Sequence, residues 1–236
     1  MRLRRAKDRA AQGLVLLEGR RLVGAARDGG VELDAVYVTD PTDVLAHGVA
    51  HASVVPDELL AQMATTLNPQ GIVAVARWRP VGEVPATARR VLVLAGVADP
   101  GNVGTLIRSA AAFAWDAVVL TRGSCDPTNP KAMRAGAGST FAIAVVAGID
   151  ATEVVAELRS RGFTSLAAAT RGGQAPASVD LSLPIALVVG SEAHGLDPAV
   201  ATALDGAVTV PMPGAVESLS APAAGAVLTY ALAGRG

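Results

Sequence analysis

The chain has 236 residues, of which 51% are hydrophobic, 17% charged and only 3% aromatic. That length and apolar content suit one large or two small folded domains and exclude extended disorder, with Ala, Val and Leu left to fill the core. Net charge is −1, yet the first thirty residues hold eight Arg and Lys against three Asp and Glu, a local +5. A basic arm of this kind suits a polyanionic partner, and equally a solvated helix face. The single Cys125 rules out an intrachain disulfide. The first twenty residues hold no signal-like apolar run, and no stretch of about 18 apolar residues reads as a membrane span. A reducing, cytoplasmic setting with no membrane association is the expectation.

In chain order, the pattern predicts a helix over Glu18 to Ala26, a strand at Ala35 to Thr39, a helix over Asp57 to Met63 after Pro56, and a strand at Gly71 to Ala76. This is a small α/β unit. Residues 79–87, with two prolines and a glycine and no periodicity, read as a linker. Domains are therefore expected at 1–80 and 90–236, joined by residues 81–89. Beyond the linker, apolar runs at Val91 to Ala95, Ala117 to Thr121, Phe141 to Val146, Ser165 to Ala169, Ile185 to Val189 and Ala207 to Val210 read as strands buried on both faces. Helices are expected near Val103 to Phe113, Thr152 to Arg161, Pro198 to Leu204 and Ser220 to Leu232. The alternation predicts an α/β fold, a mostly parallel sheet with helices on both faces and ligands at the carboxyl ends of its strands.

Three loops after predicted strands are rich in Gly, Pro and small polar residues: 99–108, 190–196 and 211–220. Gly96, Gly101 and Gly104 have the wrong spacing for a dinucleotide fingerprint. No Lys follows Gly101 as a phosphate-binding P-loop requires, and Ser191 lacks the glycine of a nucleophile elbow. His47 and His51 could share a helix face, but no third ligand is evident and no metal is expected. Asn102 reads either as a helix cap or as a site residue. Arg108, with apolar neighbours Ile107, Ala110 and Ala111, reads as projecting from a largely buried helix, near enough to its N-terminus to gather an anion. Glu192 sits in a Gly-bracketed turn, and Ser218 or Ser220 could cap the last helix.

Taken together, Asn102 to Arg108, Gly190 to Leu196, and Val210 to Gly214 with Glu217-Ser218-Leu219 resemble the three ordered motifs of the SPOUT superfamily, in its SpoU/TrmH-like branch of RNA 2′-O-ribose methyltransferases. Lys131 to Ser139 is similar to the segment between the first two motifs. LLEGRRLV at Leu16 to Val23 and NPQGIVAVA at Asn68 to Ala76 are similar to the substrate-binding domain found in that branch. The resemblance implies a deep trefoil knot in the C-terminal part and a homodimer with its sites at the interface. It further implies S-adenosylmethionine as methyl donor and a structured RNA as substrate, rRNA favoured over tRNA. Carried over by position, Arg108, Asn102, Glu192, Ser218 and Ser220 would be catalytic, and Ala169, Thr170, Gly190, Val210, Met212 and Leu219 would hold the cofactor. The family usually has Asn where this chain has Ser220, which leaves open an RNA-binding protein of the same fold with weak or no turnover. An antibiotic-resistance rRNA methyltransferase would use the same chemistry in another role.

Overall fold

The computed structural model describes residues 2–66 and 69–233; Asn68, which opens the NPQGIVAVA segment, lies outside them. A 3-10 turn at Arg2–Arg4 precedes α1 (Ala6–Gln12), which stops at Gly13 in the left-handed conformation, φ +65°. Next come β1 (Leu14–Glu18), α2 (Arg20–Asp28), β2 (Leu33–Val38), β3 (Ala52–Val54), α3 (Asp57–Met63) and β4 (Ile72–Arg77). They form a four-stranded sheet in the order β1-β4-β2-β3, with β4 antiparallel to both β1 and β2.

The helix expected from Glu18 is corrected here, because Leu14–Glu18 is a strand and the helix begins at Arg20. A short leucine-rich run fits either period, and pairing along β4 decides it. Val15 and Leu17 enter one apolar cluster while Leu16 enters the other, so the strand is buried on both faces. His47 and His51 do not share a helix face either: a 3-10 turn at Val44–Ala46 ends at His47, and His51 lies in a turn.

The basic N-terminal segment is not a free arm. Arg9 is only 3% exposed, and its guanidinium donates to Asp126 Oδ2 (2.6 Å), to Thr128 Oγ1 (2.8 Å) and to the carbonyls of Leu3 and Arg4. Arg20 pairs with buried Asp43 at 2.6 Å, and Arg27 donates to the Val44 carbonyl. Several of the charges that looked like an RNA-facing excess therefore hold the fold together.

Residues 78–89 contain no helix or strand, yet they are laid against the second sheet. The Val81 amide donates to the Val145 carbonyl, Val84 is buried, and Arg161 donates to the carbonyls of Val84 and Pro85. Then follow β5 (Arg90–Ala95), α4 (Pro100–Ala112), β6 (Ala117–Thr121), α5 (Pro130–Gly136), β7 (Ala144–Ile149), α6 (Ala151–Ser160), β8 (Thr164–Ala168), β9 (Ile185–Gly190), α7 (Pro198–Ala203), β10 (Gly206–Val208) and α8 (Ala221–Leu232). The sheet order is β10-β8-β9-β5-β6-β7, and every pairing is parallel. The strand expected from Phe141 begins only at Ala144. Ser139–Phe141 form a 3-10 turn instead, and Phe141 stands edge-on to Trp78 with ring centroids 6.1 Å apart.

Alternation along β5 sorts its side chains to two faces. Leu92 and Leu94 pack with Leu106 of α4 and Leu228 of α8, while Val91 and Val93 pack with Val154 and Leu158 of α6 and Val200 of α7. Each such aliphatic side chain contributes about 1.5–3 kcal/mol by burial. Close helix crossings are set by glycine. A Cβ at Gly104 would lie 2.2 Å from the Ala132 carbonyl of α5, and one at Gly225 would lie 2.3 Å from Leu106 Cδ2. Gly225 thus serves packing of α8 on α4 within one chain. Helix α5 also reaches the first sheet, where Met133 enters its core and Arg134 donates to Glu18 and Thr65. No helix among the described residues is long and apolar enough to cross a membrane.

Candidate active site

All strands of the second sheet point the same way, so the loops after β5, β9 and β10 gather at one edge. After β5, Asp99 takes the capping position of α4. Its carboxylate accepts from the Asn102 amide at 2.9 Å, with Pro100 at the start of the helix. That overturns Asn102 as the cap and frees its side chain, whose Nδ2 donates to Glu192 Oε1. The Asn102 N–H holds the Asp99 carboxyl below its usual range, with a smaller contribution from Lys131 at 3.5 Å.

After β9 the chain doubles back. Ser191 and Gly195 exchange backbone hydrogen bonds at 3.0 and 2.9 Å, and a Cβ at Gly190 would lie 2.5 Å from the Gly195 carbonyl carbon. Only glycine at 190 lets the turn close this tightly, and the closure presents Glu192 towards α4. Beyond β10, Pro211 and Pro213 stiffen a loop in which Met212 is half-buried. That loop runs to Ser220, the residue before α8, which has cap geometry but whose side chain makes no cap bond.

Between the loops after β8, β9 and β10 lies a cavity of about 600 Å³. Ala169, Thr170, Gly190, Val210, Met212 and Leu219 all line it, together with Glu192, Ser218 and Ser220. Asn102 stands behind its wall, joined to it through Glu192. Arg108 is not among the lining residues. It is exposed on α4 and makes no hydrogen bond or ion pair to the described residues. The site assignment from sequence left out Ala168, Val189, Ser191, Gly195, Leu196, Ala221, Ala224 and Leu228, which complete the described lining. The apolar strand ends gave a signal for Val189, whereas Ala224 and Leu228 arrive only through the packing of α8. Glu192 is the only charged side chain in the described lining. The described residues contain no group of three or more His, Cys, Asp or Glu placed to hold a metal.

Two family models match the chain. The model of the SpoU rRNA Methylase family matches residues 89–230, and that of the MRM3-like substrate binding domain matches residues 1–74. This chain belongs to the SpoU rRNA methylase family. Among its SpoU relatives, the 23S rRNA (guanosine(2553)-2'-O)-methyltransferase RlmP of Bacillus subtilis is 35% identical, over 99% of this chain and 94% of the relative. The 23S rRNA (guanosine-2'-O-)-methyltransferase RlmB of Xanthomonas axonopodis is 31% identical, over 87% and 78%. An AdoMet-bound rRNA methyltransferase from Sinorhizobium meliloti superposes with a TM-score of 0.84 at 25% identity, covering 98% of this chain and 90% of the other.

Proposed function

We propose that this SpoU-family chain transfers the methyl group of S-adenosylmethionine to a ribose 2′-hydroxyl of structured RNA, with rRNA as the substrate class. The carrying observation is the cavity at the carboxyl ends of β8, β9 and β10, where Glu192 is the only charged lining residue among those described. A sulfonium is repelled by cations and needs apolar walls with backbone donors and acceptors. A volume of about 600 Å³ with no Lys or Arg in the described lining meets both needs. Ala169, Thr170, Gly190, Val210, Met212 and Leu219 would hold the cofactor, whose sulfonium supplies an electrophilic methyl.

The protein's part is positioning. A guanidinium is a cation with donors and no acceptor, which suits Arg108 to holding an RNA phosphate and stabilising the developing 2′-alkoxide rather than to removing the proton. Asn102 and Glu192 orient the ribose through their mutual hydrogen bond, and Ser218 and Ser220 secure the third loop and substrate. Because Arg108 stands outside the cavity of its own chain, we assign the complete site to a homodimer interface. Helix α8 offers a face for it: Val227 is 42% and Tyr230 69% exposed, with Tyr230 edge-on to Phe113 at 5.2 Å between ring centroids. The same reading takes residues 1–80 as the RNA-docking domain, 81–89 as the connection and 90–236 as the catalytic domain. It also includes the trefoil knot and a cytoplasmic setting. The return of the chain from edge strand β10 to α8, packed on α4 and β9, supports the knot.

The test is transfer of labelled methyl from S-adenosylmethionine to unmodified rRNA, followed by alkaline hydrolysis. A methylated 2′-oxygen cannot attack the adjacent phosphate, so label is expected in alkali-stable dinucleotides. Label in mononucleotides would move the chemistry to a base. Ser220, which lacks an amide and makes no cap bond, favours a second reading, a cofactor-binding RNA-associated protein without turnover. Cofactor binding with no transfer to any RNA would select it.

A further inference from the structure

A second concavity, of about 570 Å³, opens on the other side of β5 in the sheet order, between α1, residues 78–80 and the carboxyl ends of β6 and β7. Its walls come from both sheets' ends of the chain, and its charge is opposite to that of the first cavity. Lys7 of α1, Arg79 of the connecting segment and Arg122 after β6 all line it and are all exposed. None of them joins an ion pair with the described residues.

The cations are placed by the fold. Arg9, in the same wall, is consumed by Asp126 and Thr128, which neutralises the one carboxylate in the described lining and anchors α1, the helix that carries Lys7. The Arg79 guanidinium lies over Gly13, where a Cβ would come within 2.1 Å of its Nε, so the glycine that ends α1 also makes room for the arginine. Arg122 Nε donates to the Gly148 carbonyl at 3.3 Å, and the charge of Arg122 is also felt by the exposed carboxylate of Asp150. Half-buried Trp78 contributes an aromatic surface to the same wall.

Three unpaired cations around a concavity with an aromatic wall match a nucleotide: a base has a π-face to stack and its phosphates have charge to give. We propose that this cleft binds an unpaired nucleotide of the substrate RNA, away from the ribose to be methylated, with its base at Trp78 and its flanking phosphates on Lys7, Arg79 and Arg122. An acidic peptide would leave the aromatic wall unused, and a free phosphate is far smaller than the space. The inference rests on the RNA reading above and adds where a second part of that RNA is held.

Tryptophan emission reads the cleft directly, because the other tryptophan, Trp115, is 3% exposed and donates to the Thr229 carbonyl. Titration with a short single-stranded oligouridylate is expected to quench the emission, and Trp78→Phe to abolish the quench. Lys7→Ala and Arg79→Ala should each weaken binding about three- to tenfold and reduce the slope of log affinity against log salt by about 0.7, the value for one single-strand phosphate contact. In methyl transfer the same variants should raise KM for unmodified rRNA and leave cofactor affinity alone. No quench, equal affinity in the variants, or uridine monophosphate binding as tightly as the oligomer would overturn the cleft. If wild-type protein methylates rRNA and KM does not move in the variants, the cleft falls and the methyltransferase reading stands. If no RNA is methylated but the oligomer still quenches Trp78, the methyltransferase reading falls and the cleft stands.

Discussion

Two concavities of nearly equal volume, about 600 and 570 Å³, flank β5 at the same edge of one parallel sheet, and they are built on opposite principles. The first is made of loop backbone. Gly190 closes a turn on itself, prolines stiffen the third loop, and Glu192 is the only charged residue of the described lining. The second is made of side chains from distant segments, with Lys7, Arg79 and Arg122 meeting only because Arg9 and Gly13 fix α1 beside the sheet. Topology supplies the location in both cases, since loops at the carboxyl ends of parallel strands converge there. Charge then decides what each can hold: a neutral-to-acidic slot suits a cationic sulfonium, and a cationic cleft suits a polyanion.

Arg108→Ala should separate the two most sharply. Losing a preorganised donor to a developing oxyanion is expected to lower turnover about 10²- to 10³-fold. Cofactor affinity should hold, because Arg108 does not line the cavity of its own chain, and Trp78 quenching by oligouridylate should persist. Arg108→Lys keeps the charge and loses the bidentate fork, so wild-type turnover in that variant would contradict the phosphate-holding role. A mixed dimer gives a further reading. Arg108→Ala combined with a cavity variant such as Gly190→Ala should recover part of the activity if the site spans two chains, and none if it does not.

Gly190→Ala breaks the first cavity from within. Its Cβ would meet the Gly195 carbonyl at 2.5 to 2.6 Å, so the turn must open, at a cost of about 1–3 kcal/mol in stability. Thermal melting should show that loss and calorimetry a drop in cofactor affinity, with the cationic cleft unaffected. Gly13→Ala is the mirror experiment. A Cβ there meets Arg79 Nε, and φ +65° adds about 1 kcal/mol of strain. Oligouridylate affinity should fall while cofactor affinity does not.

The contrast also explains what the sequence could and could not reveal. The strands of the second sheet were legible because both of their faces are buried, giving runs such as Val91 to Ala95 that admit one reading. Leu14–Glu18 was not, since five residues rich in leucine fit a helix start as well as a strand. β3 is three exposed edge residues with no pattern to find. Two walls of the first cavity, residues 190–196 and 210–220, were legible as contiguous loops with their own Gly and Pro signatures, whereas Ala224 and Leu228 of α8 were not. Asn102 stayed open between cap and site residue because the competing Asp99 lies only three residues before it, and geometry alone shows which side chain takes the amide. The second cleft has no sequence signature: positions 7, 79 and 122 become neighbours only through the docking of α1.

Ser220→Asn tests the position where this chain departs from the usual pattern. Asn and Ser cap helices about equally well, so stability should barely change. One restored amide hydrogen bond towards the cofactor or substrate is worth about 0.5–1.5 kcal/mol, or roughly two- to tenfold in affinity or turnover. No gain in either would mean that this site works without that donor.

The smallest expected effect lies in the link between α4 and the first cavity. Asp99 is exposed, so its cap is judged by direction alone: its carboxyl sits below the ordinary value of 3.8, mainly through the Asn102 N–H. A group whose folded pKa is depressed stabilises the folded state above its unfolded value, and that contribution is lost as pH falls through the lowered folded value. The first turn of α4 should therefore loosen only in acid below the usual carboxylate range, and Asn102, which reaches Glu192 from that turn, should loosen with it. Amide hydrogen exchange at Asn102, followed downwards in pH and corrected for the intrinsic rate, should lose protection there in the wild type. In Asp99→Asn, which still caps but does not titrate, the profile should be flat. The cationic cleft contains no part of this turn, so Trp78 quenching should not follow the Asn102 profile. If both fall together in the wild type and in Asp99→Asn alike, the acid response is global, and the cap at Asp99 does not control the cavity.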